Sequence, residues 1–222
     1  MLVTVVHNPG AGYAKAAEDE LLDELRRAGY EPVYVSLREA GWRSALAGPV
    51  EFVVAAGGDG TVKRVALELA GRDVPVAVVP MGTANNIART LGVSGSVREQ
   101  IAWWGRRRIR LLDLGRVSGA GRSDRFLESF GLGAFARAIE RLKSREDEAK
   151  ERFDDAREQL RRDVAVFEEI VAQQPTRRWR MEADGRDFSG DYVLVELMNV
   201  RGIGPGLRSR PARIRGTGGW TS

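Results

Sequence analysis

Short apolar runs alternate with helically spaced stretches over the first hundred residues. LVTVV (2–6), PVYVS (32–36), EFVVAA (51–56) and VPVAVV (74–79) read as strands. Between the first two, residues 16–28 put Leu21, Leu22 and Leu25 on one helical face, and Gly29 closes that helix. A short helix over 40–47 follows. Further helices run from the glycine turn at 57–60 through Ala70, from Gly82 to about Leu91, and over 96–105. Strands that are apolar almost throughout, separated by helices, predict a parallel sheet covered on both faces. Ligands of such sheets bind outside the carboxyl ends of the strands, and the glycine-rich turns of this chain fall there.

The pattern changes near Leu112, where a domain boundary is expected. RRIRLLDLGRV and DRFLESFGLGAF read as β segments joined by a polar turn at 118–124. Residues 135–173 read as one long charged helix, with Ile139, Leu142, Ala149, Phe153, Ala156, Leu160 and Phe167 at intervals of three or four with gaps. RRWRMEA and DFSGDYVLVELMNV flank Asp184-Gly185, a hairpin signal. The expected organisation is an α/β nucleotide-binding domain over 1–112. A partial, β-sandwich-like second domain over 113–222 carries the helical insertion 135–173. Residues 208–222 show no periodicity.

Composition narrows the chemistry. With no cysteine, thiolate metal sites, disulfides and cysteine nucleophiles are excluded. His7 is the sole histidine, so a His-based zinc cluster is out and a Ser-His-Asp triad would need His7 itself. A hydrogen-bonded structural role suits His7 better than ligand contact. No run approaches the ~20 apolar residues of a membrane span, and MLVTVV runs into a turn like a strand, not a signal peptide. The chain is thus expected to be cytoplasmic, working peripherally and transiently at the inner membrane surface.

The formal charge is +4, with five arginines and no acid from Arg201 to Ser222. A basic face could suit anionic lipid, as could Trp103-Trp104 followed by Arg106, Arg107 and Arg108. In both places a solvated surface, with one tryptophan in the core, weighs more. The basic tail alone does not argue for a specific nucleic-acid partner.

Three strand-to-helix turns carry the candidate chemistry. Asn8-Pro9-Gly10-Ala11-Gly12 lets backbone approach a ligand, next to N–H groups that favour an anion; a purely structural turn fits equally well. Gly57-Gly58-Asp59-Gly60-Thr61 holds a carboxylate on the rim, where it could orient a hydroxyl or share Mg²⁺ with a polyphosphate. Pro80-Met81-Gly82-Thr83-Ala84-Asn85-Asn86 offers Thr83 as the natural N-cap and the two asparagines as neutral hydrogen-bonding groups.

Together NPGAG, GGDGT and GTANNIAR, followed in order by LLDLGRV, FLESFGLGAFA and YVLVELMNVRGIGPGL, resemble the diacylglycerol kinase catalytic domain, from residue 3 to about 207. That family shares its nucleotide site with sphingosine and NAD kinases. The resemblance implies ATP and Mg²⁺ as cofactors and a lipid hydroxyl, diacylglycerol-like, as phosphoryl acceptor. It implies nucleotide contact for Asn8, Pro9, Gly10, Ala11, Gly12, Gly57, Gly58, Asp59, Gly60, Thr61 and Thr83, and more weakly for Ser36. Asp59 would be the catalytic residue and would meet the metal indirectly, through Mg-ATP. NAD kinases also carry GGDGT, but the first and third turns are closer to lipid kinases.

The departures are specific. Where the family has Asn-Glu after the hydrophobic residue that follows GGDGT, this chain has Lys63-Arg64, which either face phosphates or point to solvent. Asn85-Asn86 stands where members often have Asn-Asp. The late acidic segment that supplies the family's general base finds no match after Leu207. A frameshift or premature stop near Leu207 is therefore expected, and with it a nucleotide-binding but inactive protein as the rival to a kinase. A β half-domain without its last strands would expose edges and favour self-association into homo-oligomers.

Overall fold

The computed structural model describes residues 1–9, 15–106, 109–149, 156–200, 202–203 and 207–208. Packing divides the chain into two compact units, one over Met1–Ser129 and the segment from Met198, the other over Phe130–Leu197.

The first unit is built on four parallel strands, β1 (Leu2–His7), β2 (Glu31–Ser36), β3 (Val53–Gly57) and β4 (Val76–Pro80), in the order β2-β1-β3-β4. The connecting helices are α1 (Lys15–Arg27), α2 (Ser44–Ala47), α3 (Asp59–Glu68) and α4 (Asn86–Leu91), with α5 (Val97–Trp104) beyond. Alternation explains the cover on both faces. Val3, Val5, Val54, Ala56 and Val79 join Leu21, Leu25 and Ile101 in one apolar cluster. Val6, Val53, Ala55 and Val78 join Leu46, Val62, Val65 and Ile87 in the other. Val3, Val5, Val6, Val53 and Val54 are wholly buried, which is why these strands read as unbroken apolar runs.

Helix ends follow local chemistry. Gly29 takes φ +82° after α1. Ser96 and Glu99 form a reciprocal capping box at the start of α5. Trp104 stacks edge-on against Phe52 and Tyr30, while Trp103 is exposed; Arg107 and Arg108 lie outside the described residues.

The parallel α/β elements stop where the sequence pattern changes near Leu112, yet the unit runs on to Ser129. The antiparallel hairpin β5 (Gly115–Gly119) and β6 (Arg122–Phe126) belongs to it. Leu112, Leu114, Leu127 and Val200 pack into the same cluster as Val53 and Val62, so burial ties the hairpin to the sheet. Asn199 fastens the returning segment, donating from Nδ2 to the carbonyls of Leu127 and Asp113 and from its backbone N–H to the Glu128 carbonyl.

In the second unit β7 (Ser129–Gly133) leads into α6 (Ala134–Ala149) and α7 (Ala156–Gln173). The single long helix expected over 135–173 is instead two helices packed side by side. Ala134 and Ala138 meet Val166 and Ile170, Phe135 meets Phe167 edge-on, and Arg137 donates to Gln174 at 2.6 Å. The apolar stripe has gaps along its length, so one straight helix would have left both halves unburied. Residues 150–155 between them lie outside the described residues.

β8 (Arg177–Trp179) pairs with β11 (Gly190–Tyr192). Between them β9 (Glu182–Ala183) pairs with β10 (Arg186–Asp187) around Asp184 and Gly185, both at positive φ, as the Asp-Gly signal predicts. β12 (Leu194–Met198) pairs with β7. A last two-residue pair, β13 (Gly202–Ile203) with β14 (Leu207–Arg208), returns to the first unit. Residues 209–222 lie outside the described residues.

Candidate functional site

The order β2-β1-β3-β4 reverses direction between β1 and β3, which makes the carboxyl ends of these two strands a topological switch point. Asn8 leaves β1 there, and its backbone N–H donates to the Ala56 carbonyl of β3 at 3.2 Å. A cleft of about 170 Å³ opens at this crevice, lined by Asn8, Leu37, Gly58, Gly60, Thr61 and Arg64.

The turn after β3 feeds α3 directly. The N–H groups of Thr61 and Val62 donate to the Gly58 carbonyl at 2.9 and 3.2 Å and close the first helical turn. Thr61 is 2% exposed, and its Oγ1 is buried with no hydrogen-bond partner among the described residues. A buried hydroxyl in that state costs stability unless a partner arrives. A side chain at Gly57 would drive its Cβ to 2.3 Å from this hydroxyl, so the glycine is what admits Thr61.

The turn after β4 meets the turn after β3 first through backbone. A Cβ on Gly82 would lie 2.6 Å from the Gly58 Cα, and Met81 N–H donates to the Gly57 carbonyl at 2.9 Å. Asn85 sits in the left-handed region at φ 48°. Its side-chain oxygen accepts from Gly82 N–H at 3.0 Å and its amide donates to the Gly82 carbonyl, closing the loop on itself. The exposed Thr83 is not the N-cap expected from the sequence, since Asn85 occupies that place. The capping is done from another element. Asp59 Oδ2 accepts from Asn86 N–H and Asp59 Oδ1 from Ile87 N–H, both at 2.9 Å. Asn86 is buried and donates from Nδ2 to Glu128 Oε1 at 2.9 Å. The two asparagines thus hold the scaffold together.

Of the residues expected at the site, Asn8, Gly58, Gly60 and Thr61 converge on the cleft. Pro9 is half-buried just after Asn8, while Gly10, Ala11 and Gly12 lie outside the described residues. Ser36 is buried and accepts from Arg38 N–H at 3.2 Å; its neighbour Leu37 is the residue that lines the cleft. Leu37 belongs to none of the sequence motifs, and Arg64, open in sequence between phosphate and solvent, lines the cleft.

His7 lies behind the crevice. Its Nδ1 is 3.1 Å from the Tyr34 hydroxyl, which donates to Glu18 at 2.9 Å. The hydroxyl's one hydrogen is spent on Glu18, so Nδ1 carries the imidazole proton. Burial lowers the His7 pKa below 6.5, opposed by the nearby Glu18 carboxylate. Burial, then the bond to Glu18, pushes Tyr34 up to about 12.

Among the described residues no three His, Asp or Glu side chains converge to hold a metal, and both Asp59 oxygens already accept backbone N–H groups. The cleft suits an anion, with glycine backbone and a guanidinium on its lining, and its described residues do not form a protein metal cage. Among the described residues no helix is long and apolar enough to cross a membrane.

Residues 2–117 match the family model of the diacylglycerol kinase catalytic domain. The chain is similar to a diacylglycerol kinase of Mycobacterium tuberculosis, 25% identical over 218 residues, covering 92% of this chain and 67% of the relative. It is also similar to a diacylglycerol kinase of Bacillus subtilis, 27% identical over 213 residues, covering 90% and 65%. The fold superposes on a crystal structure of a diacylglycerol kinase from Bacillus anthracis with a TM-score of 0.64, covering 93% of this chain and 67% of that one at 23% identity. The chain thus spans about two thirds of the length of these relatives. With an α/β parallel sheet followed by a β-rich region with helices, and a family match over half its length, the chain belongs to the diacylglycerol kinase catalytic domain family.

Proposed function

We propose that this chain is an ATP-dependent lipid kinase that transfers the γ-phosphoryl group to a diacylglycerol-like hydroxyl at a membrane surface. The observation that carries the reading is the switch-point cleft, where Gly58, Gly60 and Thr61 stand together with Asn8 and Arg64, and the buried Thr61 hydroxyl has no partner among the described residues. Bound ATP would supply the phosphoryl group. The residues of this chain hold its phosphates by backbone approach and by the Thr61 hydroxyl, and Leu37 excludes water from one wall. Asp59 positions: by capping α4 it locks the turn after β4 against the turn after β3.

A second reading, nucleotide binding without transfer, is favoured by one specific observation. Both oxygens of the carboxylate expected to act in catalysis are engaged by backbone N–H groups.

A transfer assay separates the two. Purified protein is incubated with Mg²⁺ and γ-labelled ATP against diacylglycerols, sphingoid bases and NAD. Organic-phase label that disappears in Thr61→Val supports lipid kinase activity. Label on NAD moves the chain to the NAD kinase branch. No transferred label, with ATP still raising the melting temperature, establishes the non-catalytic reading.

A further inference from the structure

We propose that Arg64 is a polyphosphate-binding residue of the cleft, selecting nucleotides by the charge at the end of the phosphate chain; this rests on the nucleotide reading above. Arg64 lies one turn into α3, on the same cleft wall as Gly58, Gly60 and Thr61. Its side chain is exposed and makes no hydrogen bond or ion pair among the described residues. The two acids of its own helix are committed elsewhere. Glu68, four residues on and the natural helical partner, pairs with Arg43 Nε at 3.2 Å. Asp59 accepts from the N–H groups of Asn86 and Ile87. A guanidinium without a carboxylate, on the lining of a cleft with bare glycine backbone, is a free donor fork for phosphate oxygens. Lys63 provides the internal comparison: it is also exposed, carries the same charge and stands one residue away, but it does not line the cleft.

Affinity is measured by calorimetry at fixed ionic strength and without Mg²⁺, using ATP, ADP, AMP and inorganic tripolyphosphate. The proteins are wild type, Arg64→Gln, Arg64→Lys and Lys63→Gln. Because Arg64 is exposed and unpaired, Arg64→Gln should melt with the wild type in the absence of ligand. The expected result is an about tenfold loss of ATP and tripolyphosphate affinity in Arg64→Gln. The loss should be smaller for ADP and negligible for AMP. Arg64→Lys should fall between, because it keeps the charge but not the planar fork, and Lys63→Gln should stay within about twofold of wild type, as a screened surface charge. Equal losses in Arg64→Gln and Lys63→Gln, or none in either, with wild-type ATP binding intact, would overturn the role of Arg64 and leave the nucleotide reading standing. Wild type that binds neither ATP nor tripolyphosphate would overturn both.

Discussion

The turns after β3 and β4 have nearly the same local recipe: a buried strand, a glycine, a threonine and a helix. They do opposite things. The turn after β3 leaves donors unspent, with the Thr61 hydroxyl unsatisfied and Gly58 and Gly60 bare at the cleft. The turn after β4 spends what it has on itself and on its neighbour, Asn85 closing on Gly82 and α4 taking both oxygens of Asp59. A binding surface is thus set by which turn is left incomplete, and the complete turn braces it through the contact of Gly58 with Gly82.

Breaking the brace should have the largest effect. Gly82→Ala puts a Cβ 2.6 Å from the Gly58 backbone, which cannot swing away as a side chain can. It should cost about 3 kcal/mol, read as a lower urea midpoint. Gly58→Ala meets the same contact at 3.3 Å and should cost less. Next comes Asp59→Ala, which strips both cap bonds from α4 and should cost about 2 kcal/mol. If unliganded stability is unchanged in that variant, the bracing role of Asp59 is wrong. Asn85→Ala, with a non-glycine residue left at φ 48° and no amide to close the loop, should cost about 1 kcal/mol. Asn85→Gly should recover part of that loss.

The smallest effect concerns His7. Its folded pKa lies below the ordinary 6.5, so the folded state holds fewer protons than the unfolded chain. The resulting stability is present above pH 6.5 and is lost as pH falls through the folded value. His7→Gln should flatten that part of the pH dependence, visible in urea midpoints at pH 8 and pH 5.5.

What was legible in the sequence follows the same contrast between local and distant causes. Strand cores, the glycine stop after α1 and the Asp184-Gly185 hairpin depend on neighbours in sequence, and all were readable. Thr83 was the local choice for an N-cap, but Asp59, from 27 and 28 residues earlier in the chain, makes the bonds. Asn85 and Asn86 were open to a ligand by composition alone. Asn85 closes on Gly82 three residues back, but only the fold places Asn86 against Glu128, 42 residues on. The charged run between Ala149 and Ala156 contains no proline or glycine, so nothing local separated α6 from α7; their packing on Ala138 and Ile170 did. Ser36 against Leu37 is a one-residue matter of which side chain faces the crevice, beyond what strand alternation fixes at its last position.

The most direct measurement pairs stability and ATP affinity in Thr61→Val, which replaces an unsatisfied buried hydroxyl by a methyl of similar size. If the turn after β3 is an incomplete site awaiting phosphate, unliganded stability should hold or rise while ATP affinity falls about tenfold. A destabilised variant that binds ATP as well as wild type would contradict the account, because the hydroxyl would then be serving the fold and not the ligand.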